Sequence, residues 1–425
     1  MRIGLVSYEY PPQSGLGGVG TYTFRLAGAL GRAGHQVVVL AGPTEEEDIP
    51  QPNVTLHRIP ARYEPPLGSR SLRFLYWRVF ATLMDKAHPL VWHWMRWNMA
   101  SGDALLDIHR KTPLDVIEAP EHAANGLFVG RLRKWPMVVR IHGPWDLFFG
   151  INRTSGTAMN RLLTYLERKS TELAQVCTTP SHTMAAFIHA KWRMKGLPVA
   201  VPNFMDVPET PAPLPPVDGP QRIVCAGRLE RFKGQDTLVK AFARIAAKHP
   251  RAELRIIGPD QWSEKQTFAQ IVDQLVPEVD VRRRIILAGR QPLAQVQEEL
   301  RNACIAVICS SGFESFSFST LEAMAAARPI VGSRVGAIPE LLDNGNCGLI
   351  AAPANVAQFA DSLDRLLGDP ELRQDLSRKA HERARSRYDT QIAIPAMVRQ
   401  FNRARELFDP VATAAPRPPL AMQPA

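Results

Sequence analysis

Four charged residues frame the chemistry this chain could perform. Glu314 and Glu322 stand eight positions apart in residues 312–329 (GFESFSFSTLEAMAAARP), after an apolar run at 305–309 that reads as a buried strand and at the start of a helical stretch. One carboxylate is expected on the loop before the helix and the other in its first turn, so that both face a ligand lying across the helix N-terminus. The amides there seek anions. A diphosphate at the amides and hydroxyls at the carboxylates would satisfy both, and a sugar nucleotide has that shape. Ser319 to Glu322 also fits a capping box, in which the pair serves only the helix start. Glu314 has no such structural role, sitting in a Gly/Ser-rich turn beside Phe313, Phe316 and Phe318.

The two cations lie in residues 227–234 (GRLERFKG), between an apolar strand at 222–226 and a helix beginning near Gln235. A strand-to-helix loop fixes Arg228 and Lys233 where they can bind a diphosphate and stabilise it as it leaves. Each charge-assisted hydrogen bond of this kind is worth roughly 1.5 to 3 kcal/mol. A second glycine-rich loop carries Gly15, Gly17, Gly18 and Gly20 between a first strand and a helix at 19–32, and allows close approach of a phosphate or sugar. These glycines also fit the letter of the dinucleotide fingerprint, which would make the chain an oxidoreductase. Context opposes it, because residues 8–14 separate the glycines from the strand, and the second strand ends in Ala41-Gly42 where a ribose-binding acid belongs.

In combination these segments resemble the retaining glycosyltransferases of GT-B fold, family four. The resemblance rests on the GRLxxxKG loop, the two glutamates with seven residues between them, residues 10–20 (YPPQSGLGGVG), residues 327–340 and the Gly348-Leu-Ile stretch, and it extends to about residue 408. It implies two Rossmann-like α/β domains facing across a cleft, and transfer of a hexose from a nucleoside-diphosphate sugar to a hydroxyl acceptor, in a glycan, a lipid-linked or a small molecule. On that reading Arg228 and Lys233 hold the diphosphate, Glu314 the sugar hydroxyls and Glu322 the ribose. The amides at Phe316, Ser317 and Phe318 and the Gly17-Gly18 loop complete the anion site. His142, at the end of a strand and opening the turn HGPW, is implied as a donor-sugar contact. A sugar-nucleotide-binding protein without activity is the alternative of the same fold.

Other residues stay open between roles. Glu118, Glu121 and His122 close a strand of the first sheet and are expected to line the acceptor side or to act as ordinary caps. Glu9 and Asn203 are equally divided. No Asp-x-Asp lies between strands and helices, so transfer is expected to need neither metal nor cofactor, with Arg228, Lys233 and the helix amides neutralising the leaving group.

The elements that must position these residues follow from patterning. With 425 residues, 45% hydrophobic and 22% charged, the chain can fill two or three globular cores. Strands are expected at 2–7, 36–40, 54–59, 115–118, 137–141, 176–178 and 199–201. A second set follows at 222–226, 253–257, 284–288, 305–309 and 330–333, after which the chain turns helical. The proline-rich stretch 208–220 is expected to link an N-terminal acceptor-side domain (1–207) to a nucleotide-sugar domain (221–387). A final helix at 388–408 is implied to cross back to the first domain, ahead of a disordered tail at 409–425.

The absence of an apolar run of eighteen residues or of a leader argues for a cytoplasmic protein. Five cysteines without C-x-x-C spacing read as reduced structural residues. The net charge of +10 points to an acidic partner. Residues 70–97 interleave Arg70, Arg73, Arg78, Lys86 and Arg96 with Trp77, Trp92, Trp94 and Trp97, which suits peripheral contact with an anionic membrane or, alternatively, packing of the first domain. Nucleic acid is not expected, since no recognition motif accompanies the charge.

Overall fold

A computed structural model of the chain describes residues 1–12, 17–62, 79, 81–86, 88–145, 147, 158–263 and 265–409. Gly15, Arg70, Arg73, Trp77, Arg78 and the tail from 410 onward lie outside the described residues. The chain divides into two compact units, one from the residues before 179 (except 150–153) with those after 393, the other essentially 179–393.

Short, continuously apolar runs such as Ile-Gly-Leu-Val and Ile-Ala-Val-Ile are the mark of parallel strands covered on both faces, and both form buried strands here. The first sheet contains β1 (Arg2–Ser7), β2 (Gln36–Ala41), β3 (Val54–Arg58), β4 (Val116–Pro120), β5 (Met137–Arg140), β6 (Val176–Thr179) and β7 (Val199–Ala200), in the order β3-β2-β1-β4-β5-β6-β7. The second contains β8 (Gln221–Ala226), β9 (Ala252–Ile257), β10 (Ile285–Gly289), β11 (Ile305–Ile308), β12 (Ile330–Ser333) and β13 (Leu349–Ala351), in the order β10-β9-β8-β11-β12-β13. Its pairings are all parallel. In each sheet the strand order reverses beside the first strand, between β1 and β4 and between β8 and β11. Open α/β sheets bind ligands at the carboxyl ends of the strands flanking such a reversal.

Helices close the faces with apolar stripes. Gln235–Ile245 buries Leu238, Val239, Ala241 and Phe242 against Ile223, Leu254 and Ile256. Leu238, Val239 and Phe242 each contribute about 1.5 to 3 kcal/mol through the water they shed. The element after β12 departs from expectation: β13 adds a sixth strand where a helical continuation is expected, because three residues are too few to carry a strand period.

Residues 208–220 form neither helix nor strand, as their prolines dictate, but they are tied down. Arg328 is fully buried and donates to five backbone carbonyls, those of Ala326, Arg301 and Ala303 nearby and those of Ala212 and Pro213 in the proline-rich segment, at 2.6 to 3.2 Å. Burial pulls its guanidinium down to about 10. Arg385 adds a bond to the carbonyl of Glu209.

Trp92, Trp94 and Trp97 correct the membrane expectation for their part of the chain. All are buried: Trp97 donates its indole N–H to the Ile59 carbonyl and packs on Tyr8, while Trp94 packs on His122 and Trp145. Their helix, Pro89–Lys111, is covered on more than one side: Trp92 and Trp94, two residues apart, point in nearly opposite directions and are both buried by neighbouring elements. No helix among the described residues is long and apolar enough to cross a membrane.

Candidate active site

The second unit gathers its charged residues at the reversal between β8 and β11. After β8 the chain runs through Arg228 to Lys233 and turns sharply at Gly234 (φ 71°), where a Cβ would stand 2.1 Å from the Cys309 carbonyl oxygen. Only glycine lets the loop lie so close to the end of β11. The two loops are then zipped together, with the Ser311 and Gly312 amides donating to the Phe232 carbonyl at 2.7 and 3.1 Å.

That approach brings Lys233 Nζ to 2.6 Å from Glu314 Oε1, which also accepts from Ser310 Oγ at 2.6 Å. The backbone of Glu314 is held from the other side. Gly336 (φ 51°) passes so close that a Cβ would meet the Glu314 carbonyl oxygen at 2.0 Å, and the Ala337 amide donates to that oxygen at 2.8 Å. Arg228 pairs with Glu230 at 2.9 Å, and Gln235 fixes its carbonyl. Lys233 is 24% and Arg228 38% exposed, against 11% for Glu314: the cations remain open to a ligand while the acid is positioned.

Beyond Glu314 the helix Phe318–Ala325 begins, capped by Ser317, whose hydroxyl accepts from the Thr320 amide at 3.2 Å. The expected box from Ser319 to Glu322 does not form. The chain enters the helix two residues earlier because Phe316 is buried in the core and packs edge-on against Phe318, which leaves Ser319 inside the first turn and Glu322 in the second. Glu322 is half-buried.

The first unit holds His142, Gly17 and Gly18. His142 is buried at the end of β5, and its amide and that of Gly143 donate to the two carboxylate oxygens of Glu121 at 2.9 and 2.6 Å. Glu121 is fully buried; desolvation raises it and these amides oppose the rise. Burial, with the charges of Arg140 and His122, holds the His142 imidazole well below its ordinary range, so the ring is neutral near pH 7. Gly17 precedes the helix Gly18–Arg32, and a Cβ there would come to 3.0 Å from Glu9 Oε2. Glu9 in turn lies 3.7 Å from His122 Nε2. The glycine loop therefore faces a carboxylate as well as a helix N-terminus.

Ser310, Gly336, Tyr22 and Arg140 escape a reading by site motif alone. Ser310 and Gly336 act through their position against Glu314, and Tyr22 and Arg140 through burial. A cavity of about 290 Å³ elsewhere in the first unit, lined by Trp135, Gln175 and Leu407, lies where β5 and β6 begin, at the opposite strand ends from these residues. Among the described residues no group of three metal-binding side chains occurs.

Two parallel α/β units, each with a strand-to-helix loop at its strand reversal, define a GT-B glycosyltransferase. The chain belongs to the group 1 glycosyltransferases: the family model for glycosyl transferases group 1 matches residues 206–383, and that for glycosyltransferase family 4 matches residues 16–208. It is 28% identical over 424 residues to the glycogen synthase of Mycobacterium tuberculosis, covering 95% of both chains. To the D-inositol 3-phosphate glycosyltransferase of an Arthrobacter species it is 25% identical over 398 residues, covering 88% of this chain and 87% of that one. Among solved structures, sucrose-phosphate synthase from Thermosynechococcus elongatus superimposes with a TM-score of 0.72 at 20% identity, over 94% of this chain and 98% of that one. Anabaena HepE in complex with UDP-glucose does so with 0.65 at 16% identity, over 95% and 99%.

Proposed function

We propose that this glycosyltransferase moves a hexose from a nucleoside-diphosphate sugar to a carbohydrate or cyclitol hydroxyl, with retention of configuration and without a metal ion. The observation that carries the reading is the 2.6 Å contact between Lys233 and Glu314 beside a helix start at the β8/β11 reversal. A donor whose phosphate adjoins a hydroxylated ring needs a cation and a carboxylate in contact at one spot. Lys233 and Arg228 would take the diphosphate and its departing charge, with the helix start behind Phe316, Ser317 and Phe318. Glu314 would take the sugar hydroxyls and Glu322 the ribose. His142, neutral near pH 7, is suited to a hydrogen bond with a donor-sugar hydroxyl and unsuited to carrying charge. The names of the relatives, a glycogen synthase and an inositol-phosphate glycosyltransferase, support a role in building glycans or glycosides.

The experiment is incubation with a panel of nucleotide sugars in excess chelator, offering maltooligosaccharide or inositol phosphate as acceptor. Release of one nucleotide diphosphate is expected, with the product's anomeric configuration, read by proton NMR, matching the donor's. Transfer that appears only when magnesium or manganese is returned, or an inverted product, contradicts the proposal.

A further inference from the structure

Behind His142 lies a cluster of charged and polar groups that the transfer chemistry leaves unexplained. Four elements contribute: β1 gives Ser7, the helix Gly18–Arg32 gives Tyr22 and Thr23, β4 gives Glu118, and β5 gives Arg140. Tyr22, Glu118 and Arg140 are exposed by 2%, 4% and 0%. The Tyr22 ring meets the His142 ring edge-on with centroids 4.8 Å apart, and the Arg140 guanidinium carbon lies over the same tyrosine at 4.1 Å. Glu118 is acted on by the Arg140 charge and by the Tyr22 hydroxyl.

Glu118 Oε2 and His142 Nε2 are closed to solvent and lack a hydrogen-bond partner. Both residues line one narrow crevice, too tight for a water molecule, together with Ser7, Tyr22 and Thr23. Burying an acid and a guanidinium is expensive unless they neutralise one another. Here the two charges flank the aromatic ring, Arg140 over its face and Glu118 at its hydroxyl, and the ring in turn braces the histidine.

We propose that Glu118 is a positioning residue that, through Tyr22 and Arg140, holds the His142 ring in one orientation. It is too buried to touch a substrate itself. With Glu118 ionised, the Arg140 charge is balanced and Tyr22 is pinned between Arg140 and His142. With Glu118 protonated, the Arg140 charge over the ring is no longer balanced, and the tyrosine loses the carboxylate that fixes its hydroxyl. Burial raises Glu118 to about 7, so the change falls within the neutral range.

The inference rests on the reading of His142 as a donor-sugar contact, and two measurements separate the two. In the first, kcat and donor KM are followed from pH 5.5 to 9. Wild type should gain turnover through a limb near pH 7, and Glu118→Gln should lose that limb, with kcat lower by roughly tenfold at pH 8 from misplacement of the histidine and donor KM within about twofold. Because the Tyr22 hydroxyl lowers the Glu118 carboxyl, Tyr22→Phe should move the limb to higher pH while keeping the ring, which serves if Glu118→Gln folds poorly. In the second, the imidazole resonances of His142 are followed by NMR across the same range, independent of any transfer. They should shift near pH 7 in wild type and not in Glu118→Gln. An unchanged limb and unchanged imidazole titration in Glu118→Gln and Tyr22→Phe would reduce the cluster to packing. A His142→Ala variant with normal donor kinetics, beside a shifting imidazole in wild type, would instead remove the sugar contact and keep the coupling.

Discussion

The charged clusters at the two strand reversals treat charge in opposite ways. In the second, Arg228, Lys233 and Glu314 are partly exposed and met by a partner of opposite sign or a hydroxyl within 2.9 Å. In the first, Glu118, Glu121, Arg140 and His142 are sealed in the core, and desolvation dominates the shifts of Glu118, Glu121 and His142. An open, paired site can exchange its internal partners for those of a ligand at little cost. A sealed one cannot, and its charges act by holding shape. The cluster of the second unit therefore suits exchange with an anion, and that of the first suits a rigid frame.

The sharpest way to break this contrast is to remove the cations. Arg228→Ala or Lys233→Ala should each lower turnover by about two to three orders of magnitude, the scale of a lost preorganised electrostatic contact, while the melting temperature moves little. A large loss of stability with turnover preserved would put these residues in the frame instead. Next comes the pH dependence of the sealed cluster. Glu118 is raised from 4.5 to about 7 in the folded chain, so the folded state holds that proton more tightly than the unfolded one. Its contribution to stability is intact below pH 4.5 and falls as pH rises through 7, by ~3 kcal/mol. Denaturant titrations of wild type and Glu118→Gln at pH 5 and pH 8 should diverge accordingly, and parallel curves would contradict the burial argument.

Glu121→Gln tests the frame at its hinge point. An amide can accept from only one of the two amides at His142 and Gly143, leaving the other buried donor facing an N–H, at a cost of about 2 kcal/mol. Thermal unfolding should register it, together with faster hydrogen exchange at Gly143. Ser317→Ala is the smallest change: losing the cap of Phe318–Ala325 should cost about 1 kcal/mol, with donor KM rising modestly. No effect on stability would mean the helix start is held by Phe316 alone.

Most strands were legible because buried parallel strands are short apolar runs bounded by glycine, proline or charge. Lys233 and Glu314 were legible as residue types on loops at strand ends. Their contact was not, since it depends on Gly234 and Gly336 letting three loops approach to backbone contact. The cap was misplaced by two residues because Ser317 and Ser319 are chemically alike and only the burial of Phe316 distinguishes them. Trp92, Trp94 and Trp97 fall on more than one side of their helix, so their spacing alone names no face, and neighbouring elements decide where each packs. Glu118 and Arg140 sit in strands, where a charge reads as an end or an edge until the topology seals it.

Arg328 gives the proline-rich segment 208–220 a different mechanical character from a spacer. A free chain of that length would absorb displacement by uncoiling, but two of its carbonyls are riveted at Ala212 and Pro213, and a third at Glu209 by Arg385. Slack is thereby removed from the first half of the segment, and strain arriving there is passed into the body of the second unit, just before β12 through Arg328 and at Arg385. A protease that favours exposed, irregular backbone should find few productive sites between 209 and 213 until that unit itself melts.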